Sequence, residues 1–166
     1  MSQTTARAPL CPVLGEMSKG ALSWLNRVPY ALLALPLRLA LATVFWNSAM
    51  AKLANWDTTI SLFTDEYRVP LLPPEFAAHM ALTIELTTPV LLVLGLFTRF
   101  AALVLLGMTL VIEIFVYPQA WPTHVQWAAM LLVLLCRGAG AASIDQMLWQ
   151  RFNYILDKRT KSKHFE

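Results

Sequence analysis

ELTTPVLLVLGLFTRFAALVLLGMTLVIE, residues 85–113, holds two apolar runs with almost nothing between them. Across 91–97 and 103–112 the runs are apolar nearly all round, whereas a helix on a soluble domain would keep a polar stripe at helical spacing. Lipid is the surround such helices need. Thr98 and Arg99 leave almost no loop, so the two runs must fold back as an antiparallel hairpin. The stretch begins and ends on carboxylates, Glu85 and Glu113. A charge at bilayer depth costs on the order of 2.5–3.5 kcal/mol and calls for a partner or a task.

The rest of the chain fits that start. Its 166 residues are 57% hydrophobic, and a mean hydropathy of +0.54 is too high for an ordinary soluble domain. Four segments approach the roughly 20 apolar residues a membrane helix requires: Tyr30 to Met50, Glu75 to Phe97, Phe100 to Tyr117, and Thr123 to Cys136, the last of them short. The expected fold is all-α, a polytopic four-transmembrane-helix bundle over 30–136. Residues 1–29 and 137–166 flank it, each with an interfacial amphipathic helix. Leu14, Met17, Ala21, Trp24, Leu25 and Val28 share one face before the spans. Ile144, Met147, Leu148, Phe152, Ile155 and Leu156 share another after them. Ser143 with Gln146 reads as a capping box following the Gly138 and Gly140 stop.

Positive charge sets the expected orientation. Arg7, Lys19 and Arg27 precede the first span and Arg137, Arg151, Lys158, Arg159, Lys161 and Lys163 follow the fourth, against only Lys52 and Arg68 in the long connection between spans one and two. Both termini are therefore expected in the cytoplasm of a bacterium, with the bundle in its inner membrane. The first apolar run starts only near Tyr30 with no cleavage pattern behind a short core, so it serves as an uncleaved insertion signal. Trp56, Ile60 and Phe63 suggest a short helix in the connection before Pro70 and the Pro73-Pro74 pair. The basic residues flank apolar runs and form no soluble basic face, which excludes a nucleic-acid partner. Cys11 and Cys136 are too few for a disulfide framework.

Depth counting places the buried polar groups. At about 1.5 Å per residue, Arg38 lies roughly 12 Å in from Tyr30 and Glu85 roughly 18 Å in from Phe97. An Arg38–Glu85 ion pair between spans one and two is expected, serving either to fix helix register or to wall a cavity or proton path. Glu113, His79, Lys52 and His124 fall in the outer half and could form a second polar layer. No ligand spacing supports a metal there; a quinone head group, a proton relay or a hydrated vestibule demands less geometry. Pro36 and Pro89 each withhold a helical hydrogen bond beside a charged residue, and Gly95 and Gly107 both permit close helix approach. No phosphate loop, Ser-His-Asp set, haem motif or iron-sulfur cysteine run occurs.

Arg38-Leu39-Ala40, Phe45, Lys52-Leu53, Glu85-Leu86, Gly95-Leu96-Phe97-Thr98-Arg99 and Gly138 through Ser143-Ile144-Asp145 follow one another in an order and spacing that resembles the DoxX family of small four-helix membrane proteins. Leu62 to Tyr67 with Val69-Pro70, and Trp121-Pro122-Thr123-His124, look like one branch of it. The resemblance implies a membrane bundle and marks Arg38, Lys52, Glu85, Arg99 and Asp145 as motif positions. The family takes its name from a membrane subunit of a thiosulfate:quinone oxidoreductase, and other members look like accessory proteins in redox or metal stress. The expected function is an accessory or subunit role in a quinone-linked redox or stress-response system, with an apolar carrier near the buried charges. A small-solute transporter or exporter, or a scaffold for a partner complex, is the rival. The expected partners are the bilayer, a membrane or cytoplasmic subunit, and a second copy of the chain.

Overall fold

The computed structural model describes Ser23 and residues 28–162. Helix α1 spans Tyr30–Ala54. A short α2, Trp56–Ser61, runs into a π-helical turn, Leu62–Tyr67. Helix α3 covers Pro74–Leu94 and α4 covers Thr98–Val111, continuing as a second π-helical turn, Ile112–Val116. A 3-10 turn at Pro118–Ala120 leads to α5, Trp121–Arg137, and α6 closes the chain at Ile144–Ser162. Among the described residues there is no strand. The expected N-terminal amphipathic face and Cys11 lie almost wholly outside the described residues; of that face only Val28 is inside.

Among the described residues three helical stretches are long and apolar enough to cross a membrane: Tyr30–Ala54, Pro74–Leu94 and Thr98–Val116. The fourth expected span is a helix of 17 residues, about 25 Å long at 1.5 Å per residue. It runs antiparallel to α4, as the pairing of His124 with Glu113 near one end and of Arg99 with the Cys136 carbonyl at the other requires.

The packing is that of a membrane protein. Leu32, Leu33, Leu39, Met80, Val90, Phe100, Leu103, Leu110 and Ile114 face outward. Inside, Ala34, Ala42, Ala49, Ala77, Ala78, Ala81, Ala101 and Ala102 are buried. Lipid removes the incentive to hide large apolar side chains, and small residues at the interface let backbones approach. Leu41, Phe45, Leu92, Leu105, Leu131 and Leu134 fill what remains between α1, α3, α4 and α5.

The hairpin turn between α3 and α4 is built on Gly95. Its φ of 66° puts it in the left-handed region that favours glycine. The Leu96 amide donates to the Leu91 carbonyl and the Gly95 amide to that of Leu92, the paired closure that ends many helices. Two side chains then lock the turn. From α1, Arg38 donates through Nε to the Leu92 carbonyl at 2.7 Å and through Nη2 to that of Val93 at 2.7 Å. Its Nη1 donates to the Ala139 and Ala142 carbonyls at 3.0 and 2.9 Å. From the start of α6, the Asp145 carboxylate accepts from the Phe97 amide at 2.8 Å and the Thr98 amide at 3.1 Å. A cation therefore sits on the carbonyl end of α3 and an anion on the amide end of α4, as the helix dipoles favour. Ser143 caps α6 by accepting from the Gln146 amide, which places the expected cap where the spacing put it.

A methyl group on Gly95 would stand 2.6 Å from the Ser143 Cβ and 3.0 Å from the Arg38 Cζ. Gly107, by contrast, has nothing within 4 Å, so the two glycines do not share a packing role. Gly95→Ala is expected to destabilise by about 2 kcal/mol or more, through strain at positive φ and overpacking, while Gly107→Ala is neutral or slightly stabilising. Thermal unfolding of both variants in detergent checks this; equal midpoints would remove the turn from the account.

Candidate functional site

Arg38 and Glu85 do not meet, which corrects the ion pair expected from depth. Helical side chains lean toward their own N-terminus. In the antiparallel pair α1 and α3, Arg38 thus leans toward the Gly95 turn while Glu85 leans the opposite way. Lys52 and Glu85 lean toward each other. The Lys52 stem folds back one turn over Ser48, and Nζ reaches the Glu85 oxygens at 2.8 and 2.7 Å and the Ser48 hydroxyl at 2.9 Å. Ser48 donates in turn to Glu85 Oε1 at 3.0 Å. All three ammonium protons have acceptors, which meets the condition for holding charge away from water. Glu85 is 1% exposed.

The second pair lies between α4 and α5. His124 is buried, and its Nδ1 sits 2.6 Å from Glu113 Oε2. With the carboxylate accepting, Nδ1 carries the proton and Nε2 is left for another partner. Glu113 stands in the π-helical turn Ile112–Val116, where the Tyr117 amide reaches back to the Ile112 carbonyl. Such turns insert a residue into a regular helix and recur at functional sites. His79 does not join this layer: it is exposed, its Nδ1 bonds the Glu75 carbonyl at 2.8 Å, and its ring packs on Trp56.

Lys52, Glu85, Ser48 and His124 border one cavity of about 380 Å³ enclosed by α1, α3, α4 and α5 and the two π-helical turns. Its other walls are apolar, with Phe45, Phe63, Ala81, Val104, Met108 and Trp127 among them. Tyr67 and Tyr117 border it too, and the Tyr117 hydroxyl donates to that of Tyr67 at 3.1 Å. Burial pushes the Tyr67 phenol above its ordinary value. The phenol stays protonated in the folded chain past the pH at which it ionises in the unfolded one. Its contribution to stability is full below a pH of about 10 and is lost as pH rises beyond that.

Of the residues singled out from sequence, the structure brings Lys52 to Glu85 and His124 to Glu113, and sends Arg38, Arg99 and Asp145 to the Gly95 turn. Arg99 Nη2 lies 3.3 Å from the Cys136 carbonyl at the end of α5. Ser48 was missed, although its place four residues before Lys52 puts both on one helical face. Tyr67 could not have been found, since its direction is set by a π-helical turn that periodicity does not reveal. Among the described residues no three His, Cys, Asp or Glu side chains cluster as metal ligands.

Apolar helices with lipid-facing exteriors, closed around a cavity whose charges are paired, define an integral membrane protein of the small helical type. Residues 33–118 match the DoxX family, and the chain belongs to that family. It is similar to an uncharacterized protein of Haemophilus influenzae, 31% identical over an alignment 127 residues long that covers 68% of this chain and 80% of that one. No solved structure matches it.

Lys52→Met strands a buried carboxylate and is expected to cost about 3–5 kcal/mol, whereas Lys52→Met combined with Glu85→Met costs less than the single change. Thermal unfolding of the two single variants and the double variant reads the coupling, and additive losses would mean that the pair is not a unit.

Proposed function

We propose that this DoxX protein is an accessory or subunit of a quinone-linked membrane redox or stress-response system, and that its cavity takes the ring of a quinone or a similar apolar carrier. The observation that supports this reading is the cavity itself. Its volume of about 380 Å³ falls in the range of small-molecule sites, which combine apolar walls with a few fixed polar groups. Ser48 on α1, through its remaining lone pair, and His124 on α5 stand on the wall as hydrogen-bonding groups, and Phe45, Phe63 and Trp127 offer faces for a flat ring. Such a carrier, when bound, supplies the capacity to take up or give up electrons together with protons. The chain's own residues bind and orient it. His124, with Nδ1 engaged by Glu113, offers Nε2 to a ring hydroxyl and can pass a proton between the ring and the carboxylate.

In the same reading α5 crosses the bilayer as a fourth span. Both termini lie on the cytoplasmic side of a bacterial inner membrane, where Arg137, Arg151 and Lys158 would gather. Helix α6 lies along that surface, with Met147, Leu148, Phe152 and Ile155 exposed on it.

Ala81 on α3 and Val104 on α4 border the cavity from facing helices, and each can be enlarged without touching a charge. The test is quinone retained by protein purified in mild detergent, measured by mass spectrometry. Wild type is expected to carry it, and Ala81→Leu and Val104→Phe to carry at least about tenfold less, since overpacking closes the space. Thermal unfolding confirms that both variants remain folded. A wild-type protein devoid of quinone that instead brings down a partner would move the reading to a scaffold.

A further inference from the structure

Among the described residues the positive charge at the Gly95 end is not balanced. Arg38, Arg99 and Arg137 all lie within electrostatic reach of the Tyr30 phenol. Among the described residues, no carboxylate stands within 4.0 Å of any of the three guanidinium groups. Asp145 is the acid of this end, and both its oxygens are engaged by the Phe97 and Thr98 amides. Among the described residues that is three cations against one anion, an excess of two. Elsewhere the chain pairs its buried charges, Lys52 with Glu85 and His124 with Glu113. Like charges held together near lipid repel more strongly than in water, and among the described residues this end has no counter-anion.

A groove lies where that anion would fit. It has a volume of about 650 Å³ and runs between the start of α4, the end of α5 and the start of α6. Arg99 and Arg137 border it beside Phe97, Phe100 and Trp149, each of the three aromatic side chains more than half exposed, and Asp145 borders it too, its carboxylate oxygens taken up by the two amides. Both arginines are held in place. Arg99 is anchored on the Cys136 carbonyl, and the Arg137 guanidinium lies 5.3 Å from the centre of the Tyr30 ring. The anchoring bond uses one Arg99 proton, and among the described residues no acceptor meets the other guanidinium protons of this residue. The neighbouring rings give the ligand an apolar part to rest on, which a free anion does not have.

From this we infer that the groove is a binding site for the head group of an anionic phospholipid. The phosphodiester lies against Arg99 and Arg137, and the acyl chains pass over Phe97, Phe100 and Trp149. Basic pockets between membrane helices at the bilayer surface suit such head groups, and guanidinium matches phosphate geometry better than ammonium does. The site stands apart from the cavity and does not depend on what fills it.

The full chain in nanodiscs of phosphatidylcholine, with phosphatidylglycerol added in steps, provides the test. Native mass spectrometry counts the anionic lipids retained, and thermal unfolding follows their effect. Wild type is expected to keep phosphatidylglycerol in preference to phosphatidylcholine. Arg137→Gln weakens that preference roughly fivefold, the effect of one basic residue at a membrane surface, while Arg137→Lys keeps most of it. Trp149→Ser, which leaves the charges alone, also weakens it. Inorganic phosphate at the same concentration gives no protection. An Arg137→Gln protein with wild-type preference overturns the inference. So does a wild type that is indifferent to phosphatidylglycerol, as it would be if residues 1–27 or another protein filled the groove, or one that is protected equally by inorganic phosphate.

Discussion

A guanidinium buried among helix ends, its protons shared by the Leu92, Val93, Ala139 and Ala142 carbonyls, ties α1, α3 and the turn before α6 into one body. The Leu92 carbonyl also receives the Gly95 amide, whereas those of Val93, Ala139 and Ala142 stand at a helix end or in a turn, and leaving such groups unpaired in lipid costs several kcal/mol apiece. Arg38 answers several of them at once. Because it is fixed to α3 at the last turn, the register of α1 against α3 is fixed as well. That register brings Lys52 level with Glu85 more than twenty ångströms along α1, about fourteen residues at 1.5 Å each.

The charged residues are thereby divided between two tasks. Arg38, Arg99 and Asp145 hold backbone to backbone at the Gly95 end. Lys52, Glu85, Glu113 and His124 are paired side chain to side chain around or beside the cavity. The first set is occupied by the fold and has little left to give a ligand in the interior. The second set has what a ligand needs, since His124 keeps Nε2 on the cavity side of its bond to Glu113.

Much of this was readable from the residues alone. The apolar runs without polar faces, the tight hairpin, the short helix after α1, the cap at Ser143 and the glycine stops all follow local rules of periodicity and turn chemistry, although the hairpin turns at 95–97 and Thr98 and Arg99, expected as its loop, open α4 instead. Which charged groups meet was harder. Depth counting put Arg38 and Glu85 close enough to pair, but depth ignores the direction in which helical side chains lean, and in an antiparallel pair that direction decides between Arg38 and Lys52 as the partner of Glu85. His79 was placed at the right end and on the wrong face, because helix rotation is set by packing that no single helix announces. Tyr67 and the exact aim of Glu113 rest on π-helical turns, which come from tertiary packing and leave no period in the sequence.

One contrast between the two ends follows from the atoms involved. At the Gly95 end side chains grip peptide groups, so nothing there lets go unless backbone moves. At the far end the contacts run from side chain to side chain, Lys52 to Glu85 and His124 to Glu113, and a change of rotamer alone can break either. The one end keeps the helices in register, and any adjustment to an occupant falls to the other.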